Sequence, residues 1–254
     1  MPEESVQFKN SDGETLAGTL HLPDDAPRAG VLLAHCFTCS RHTTILRQLG
    51  QALAMDGLAA LRFDFSGNGQ SEGRFDQMSY SKHRAELLTA AEYMAGRGIS
   101  IEGLAGHSMG AALVLLATAD FPGLKGVCTL AGRLGGLAPT QFLDVTQQDQ
   151  LATQGRVSFR SRGRKLELSR AFFDDARRHD LPEAIAGLAC PLLVVHGDHD
   201  EIIPLSEAEQ GQALNPRRVT LAVIPGADHM FSRKTDRSAI VAKVSAWFQK
   251  QLDG

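Results

Sequence analysis

Of 254 residues, 43% are apolar and 22% charged, and 26 basic against 29 acidic side chains leave a net charge of -3. That balance excludes a disordered chain, a collagen-like repeat and a strongly basic nucleic-acid binder. No apolar run approaches the ~18–20 residues of a membrane span, so no nucleic-acid or membrane partner is expected. The start, Met1-Pro2-Glu3-Glu4-Ser5, lacks the basic and apolar regions of a secretory signal. Cys36, Cys39, Cys128 and Cys190 are too few for a disulfide scaffold at this length. A cytoplasmic location is therefore expected.

The chain opens on a hairpin. Val6-Gln7-Phe8 alternates, Asp12-Gly13 supplies a turn tolerant of positive φ, and Thr15 to Leu22 resumes a strand. After a loop from Pro23 to Gly30, Val31-Leu32-Leu33-Ala34 is a short continuous apolar run, the pattern of a strand buried on both faces. Helical spacing from Thr43 to Met55 is closed by Gly57. A strand over Leu58–Phe63 and a helix over Tyr80–Met94 follow, then a strand over Ile99–Leu104 and an apolar helix over Met109–Ala119. Strands at Gly126–Leu130, Leu192–Val195 and Val219–Ile224, with helices near Leu205–Leu214 and Asp236–Leu252, complete the set. Eight strands interleaved with helices predict an α/β fold: one mostly parallel sheet covered on both faces, with the antiparallel N-terminal pair at one edge. No repeat or linker divides it, so residues 1–254 read as a single domain.

Residues 132–189 break the rhythm. Within them Arg156–Arg160 and Lys165–Leu168 alternate around Gly163, predicting a small hairpin, and Ser169 is placed to cap a helix through Arg178. Long excursions in compact domains are usually lids or binding loops. From Arg156 to Arg178 the insert holds eight basic and three acidic residues. We read this excess of positive charge as a solvated face, with attraction of an acidic substrate as the alternative.

The chemistry concentrates at Gly106-His107-Ser108-Met109-Gly110, a G-x-S-x-G with a predicted strand before it and a helix after it. In that context the motif is a nucleophile elbow, a strained turn that lifts a serine hydroxyl clear of the backbone. The flanking glycines are required where a larger side chain would meet the neighbouring strand and helix. A serine hydroxyl needs a positioned base, and the chain order for this arrangement is Ser, then Asp or Glu, then His. His196-Gly197-Asp198-His199-Asp200 and Gly226-Ala227-Asp228-His229 both leave the carboxyl ends of predicted strands, the end at which Ser108 stands. Asp200 is the expected orienter and His229 the expected base. Asp198 and Asp228 fall in tight turns and are expected to cap backbone amides. His107 is expected to point across the turn in a structural role, and His199 to face solvent. The oxyanion needs two backbone donors, for which Met109 and Phe37 are the candidates. A substrate pocket is expected from Cys36, Phe142, Leu143 and Met230.

These segments resemble the α/β-hydrolase superfamily over essentially the whole chain. Arg62-Phe63-Asp64-Phe65-Ser66-Gly67-Asn68-Gly69-Gln70-Ser71 looks like the R-x-D-x-x-G-x-G-x-S loop of its esterases and serine-aminopeptidase-like members. Cinnamoyl and feruloyl esterases share that style of segment and the Gly226–His229 ending. Hydrolases that precede an OsmC-like domain share Ala34-His35-Cys36-Phe37-Thr38-Cys39-Ser40, and these look nearer; the chain ends at Gly254, so no such second domain is expected. The resemblance implies an α/β-hydrolase fold with a small lid, and ester hydrolysis through an acyl-enzyme; no cluster has metal-ligand spacing, so no metal is expected, nor any cofactor. Its expected partner is a small-molecule ester, with thioester or peptide cleavage, or a non-catalytic ligand-binding site, as alternatives. Where His-Gly is commonest in the superfamily this chain has His35-Cys36, which puts a side chain beside the oxyanion loop. Cys36 and Cys39 are read as two small buried residues there; the alternative is a redox pair that reshapes the loop on oxidation. A monomer or a homodimer is expected.

Overall fold

Strands β1 (Glu3–Lys9) and β2 (Thr15–His21) pair antiparallel, Lys9 opposite Thr15, and Gly13 turns between them at φ 78°. This computed structural model describes residues 3–253. Met1, Pro2 and Gly254, which belong to the expected 1–254 domain and to the N-terminal segment read for a signal, lie outside the described residues. The elements that follow are β3 (Gly30–Ala34), α1 (Thr44–Met55), β4 (Ala59–Phe63), α2 (Tyr80–Gly96), β5 (Ile101–His107), α3 (Met109–Leu116) and β6 (Gly126–Leu130). After the excursion come β9 (Leu192–Gly197), α7 (Leu205–Leu214), β10 (Val219–Ile224) and α8 (Lys234–Leu252). One eight-stranded sheet runs in the order β1-β2-β4-β3-β5-β6-β9-β10, antiparallel at the β1/β2 and β2/β4 seams and parallel at every other.

The apolar runs are continuous because the sheet is covered on both sides, and their period of two sorts the residues between two cores. Leu32 and Ala34 of β3, with Leu192 and Val194 of β9, pack into the core beneath α2 and α3. Val31 and Leu33, with Leu193 and Val195, pack into the other, against Ile45, Leu49 and Leu53 of α1 and Ile240, Val244 and Phe248 of α8. Among the described residues no helix is long and apolar enough to cross a membrane.

The excursion between β6 and β9 holds α4 (Val145–Gln154), the hairpin β7 (Arg156–Ser161) with β8 (Arg164–Ser169), α5 (Arg170–Ala176) and α6 (Leu181–Ala186). Arg162 and Gly163 sit at φ 49° and 76°, the paired positive φ of a two-residue turn whose twist suits a hairpin. Helix α4 is absent from the sequence reading because only Leu151 on it is buried, leaving no apolar stripe. It is held instead by an Asp144/Gln147 capping box and by Gly155 at φ 71°. The Ser169 cap is a correction. Ser169 precedes α5, but it is still paired in β8 opposite Arg156, and its side chain makes no cap bond. That helix ends at Ala176, short of Arg178.

Candidate active site

Ser108 lies between the end of β5 and the start of α3 with φ 57° and ψ -116°, a conformation that costs a non-glycine residue about 1–3 kcal/mol. The glycines two places to either side make the turn possible. A Cβ at Gly106 would overlap the Gly110 carbonyl, and one at Gly110 would overlap the Ala34 carbonyl and approach the His35 oxygen to 2.8 Å. Helix α3 therefore rests directly on the backbone leaving β3, and the serine is pushed out of the turn.

Two loops meet it there. His229 follows β10, and its Nε2 lies 3.1 Å from Ser108 Oγ. Its Nδ1 lies 2.8 Å from Oδ2 of Asp200, which follows β9. The other Asp200 oxygen accepts the amides of Ile202 at 2.9 Å and Ile203 at 2.8 Å. Burial works to raise the Asp200 pKa, but the hydrogen bonds from His229 and those amides outweigh it, and the carboxyl is held below the usual range. Neither neighbouring aspartate joins this chain. Asp198 accepts the Gly226 amide at 2.5 Å, and Asp228 accepts the Ser232 amide at 2.8 Å. His199 is exposed.

Three buried imidazoles hold these loops from the sheet side; the sequence reading gives His107 a structural role across the turn but assigns none to His35 or His196. His107 Nε2 donates to the His229 carbonyl at 2.9 Å. His196 Nε2 donates to the Ile203 carbonyl at 2.8 Å, bracing the loop that carries Asp200. His35 Nδ1 donates to the Cys36 carbonyl at 2.7 Å, while its Nε2 accepts the Phe65 amide at 3.1 Å. All three are fully buried at the carboxyl ends of β3, β5 and β9. Burial pushes the His107 pKa down to about 4 and lowers that of His35, so both are neutral donors. A histidine closing an otherwise apolar strand is the signal that could have found His35 and His196.

Phe37 and Met109 lie in the loop after β3 and at the start of α3. Met109 is the first residue of α3, where an amide has no intrahelical acceptor. The Phe37 amide donates to no other backbone group among the described residues. The Phe37 ring stacks on Phe159 of β7 at 5.7 Å and meets Phe142 at 5.8 Å, so the hairpin packs onto the loop after β3. Ser161 and Arg164 of the hairpin bond Thr38 at 2.8 and 3.1 Å. Below, Arg62 donates to the Arg41 carbonyl at 2.6 Å, and the Asp64 carboxylate accepts the Arg41 amide at 2.6 Å and is paired with its guanidinium. The Arg62-to-Ser71 motif is thus a clamp on the loop after β3. The Cys36 and Cys39 sulfurs are joined as a disulfide, their Cα atoms 5.2 Å apart. This corrects the reading of two small unbonded residues: the tight turn, with Cys39 N donating to Cys36 O at 3.1 Å, brings the side chains together.

The remaining pocket candidates separate. Met230 lines an open cavity of about 620 Å³, bounded also by Cys39, Ser40, Thr43, Arg162, Arg164 and Arg237, whereas Cys36, Phe142 and Leu143 do not. Leu143 is 5% exposed and packs in the main core, while Phe142 is 48% exposed against Phe37 and Phe159. Among the described residues no group of three or more His, Cys, Asp or Glu is arranged to hold a metal ion.

Residues 31–243 match the profile of the alpha/beta hydrolase family. A monoacylglycerol lipase of Mycolicibacterium smegmatis is 25% identical over 96% of this chain and 96% of its own. The mitochondrial palmitoyl-protein thioesterase ABHD10 of Mus musculus is 28% identical over 76% of this chain, which spans about 66% of that protein. The esterase domain of a Rhodothermus marinus protein superposes with a TM-score of 0.78 at 28% identity, covering 99% of this chain and all of that one. Est1E of Butyrivibrio proteoclasticus, solved with ferulic acid bound, gives a TM-score of 0.81 at 22% identity over 98% of this chain and all of its own, a likeness of fold.

Proposed function

The chain belongs to the alpha/beta hydrolase family, and from that membership we propose that it is a serine esterase, cleaving carboxylic esters through an acyl-enzyme. The observation that carries the reading is the hydrogen-bonded chain from Ser108 through His229 to Asp200. His229 Nε2 takes the Ser108 proton as Oγ attacks the ester carbonyl. Asp200, its second oxygen fixed by two amides, keeps the proton of neutral His229 on Nδ1 and stabilises the imidazolium that forms. The Met109 and Phe37 amides receive the oxyanion. His229 then protonates the departing alcohol, and water, activated by the same base, attacks the acyl-enzyme and releases the acid. Thioester cleavage follows the same steps with a thiol leaving group, and the similarity to a palmitoyl-protein thioesterase favours it as the second reading.

The test is intact mass after exposure to a fluorophosphonate, on wild type and Ser108→Ala, beside hydrolysis of p-nitrophenyl esters from acetate upward and of acyl N-acetylcysteamine thioesters. The esterase reading expects one adduct, absent from the variant, and ester turnover. An adduct with thioester turnover alone moves the assignment to a thioesterase. Absence of any adduct overturns both.

A further inference from the structure

The cavity beside His229 carries a charge opposite to that of the molecule around it. Arg162 and Arg164 come from the hairpin turn and Arg237 from α8, and no carboxylate is among the lining residues, although the chain as a whole carries -3. Several arginines elsewhere are neutralised by carboxylates, Arg84 by Asp120, Arg133 by Glu207 and Arg233 by Asp236. Among the described residues these three bond to neutral atoms. Arg162 Nη2 reaches Cys39 Sγ at 3.3 Å and Met230 Sδ at 3.8 Å. Arg164 Nη2 donates to the Thr38 carbonyl. Arg237 Nη1 donates to the Phe231 and Ser232 carbonyls at 2.8 and 2.5 Å, and its Nε is buried without a partner. Helix α1 begins at the same cavity: its N-cap, Thr43, makes no side-chain cap bond, and its first turn holds no acidic residue. The unneutralised end of that helix adds to the positive field. Three guanidinium groups aimed at one space, with amides and hydroxyls between them, are the donor set that carboxylate and phosphate oxygens accept.

The cavity is also continuous with the catalytic loops. Met230 adjoins His229, and Cys39 lies two residues beyond Phe37. We propose that this cavity holds an anionic group, a carboxylate or a phosphate, carried by the substrate, and that Arg162, Arg164 and Arg237 select for it. The inference rests on the esterase reading for the substrate's scissile bond, though not for the charge of the pocket. An opposite charge fixed beside the scissile bond recruits the substrate and orients it toward Ser108.

The experiment uses matched pairs. In one arm p-nitrophenyl hemiglutarate is compared with p-nitrophenyl butyrate, which places the charge on the acyl side. In the other, butyryl-coenzyme A is compared with butyryl N-acetylcysteamine, which places it on the leaving group. The expected result is a kcat/KM at least tenfold higher for the charged member in one arm or both, with the charged-to-neutral ratio falling toward one in Arg164→Gln and again in Arg237→Gln. The ratio is the readout because Arg237 also holds the loop after His229, and a general loss of activity cancels from it. Charged members turned over no better than neutral ones in both arms, or a ratio untouched by either variant, overturns the proposal. If no substrate is turned over, the esterase reading falls and calorimetry decides the pocket. Glutarate or inorganic pyrophosphate bound by wild type, and at least tenfold more weakly by Arg164→Gln, keeps it; no binding of either ends it.

Discussion

Asp200→Asn isolates the role of one proton. In wild type Oδ1 accepts two amides, from Ile202 and Ile203, and Oδ2 faces His229 Nδ1 at 2.8 Å. Asparagine has one oxygen and one NH2, and the two amides decide which goes where. With its oxygen in the Oδ1 position both amide bonds survive; the reverse orientation sets the NH2 against two donors. One bond is exposed and the other half-buried, so losing them costs about 0.5–1.5 kcal/mol each, and the NH2 turns to His229. Nδ1 must then accept, the ring proton moves to Nε2, and the atom 3.1 Å from Ser108 Oγ is a donor with no lone pair for the serine proton. Reaching the productive tautomer means paying the flip, about 1–3 kcal/mol, and forgoing the carboxylate's charge on the imidazolium, about 1.5–3 kcal/mol more. The sum brackets the roughly 10⁴-fold loss in turnover, about 5 kcal/mol, that a wrong tautomer brings in such a hydrogen-bonded chain. The assay is kcat on a p-nitrophenyl ester at pH 7–8, with thermal melting alongside. The variant is expected to melt near wild type, since both amide bonds persist. Activity within tenfold of wild type would refute the reasoning.

Gly110→Ala sets a methyl against the Ala34 carbonyl and 2.8 Å from that of His35; backbone cannot yield there, and a loss of several kcal/mol in urea unfolding is expected, a wild-type midpoint contradicting the contact. Acid should destabilise the fold. His21 and His107 are held down to about 4 and His83 to about 3, in each case chiefly by burial, against an ordinary value of 6.5. Between those limits the unfolded chain binds protons that the native state refuses, so stability is whole above pH 6.5 and drains as pH falls toward 4, by about 3 kcal/mol for His107 alone. Equal melting temperatures at pH 7.5 and 5 would contradict this. Alkylation under denaturing, non-reducing conditions should label Cys128 and Cys190 only, and all four cysteines after reduction; four labels without reductant would remove the disulfide.

Regular elements that bury an apolar face on the sheet were open to sequence reading. Strands Gly126–Leu130 and Val219–Ile224 and helix Leu205–Leu214 lie where their patterns place them. Ser108, Asp200 and His229 were open to it because each sits in a short motif at a strand's carboxyl end. What stayed hidden depends on groups distant in sequence or on burial without pattern. Helix α4 is polar on nearly every side. The basic cavity draws on four segments, around residues 38–44, 69, 162–164 and 230–237, and only folding brings them together. Part of the Arg156–Arg178 charge excess is a solvated face, as in Arg177 with Asp174, but Arg162 and Arg164 belong to the cavity. Cys36 and Cys39 carry no flanking pattern that tells a bonded pair from two small buried side chains.

The buried imidazoles of His35, His107 and His196 bear on how the protein answers to ionic strength. Their bonds to the three loops are made by side chains sealed under the sheet's end, where mobile ions do not reach. Arg162 and Arg164 sit on an exposed hairpin, within a Debye length of bulk electrolyte. On the proposed reading of the cavity, raising salt leaves the spacing of Ser108, His229 and Asp200 alone while it fades the field offered to an anionic substrate. Saturated turnover is then expected to stay level while the concentration needed to saturate climbs, the electrolyte of the surroundings setting which substrates are caught and not the chemistry done on them.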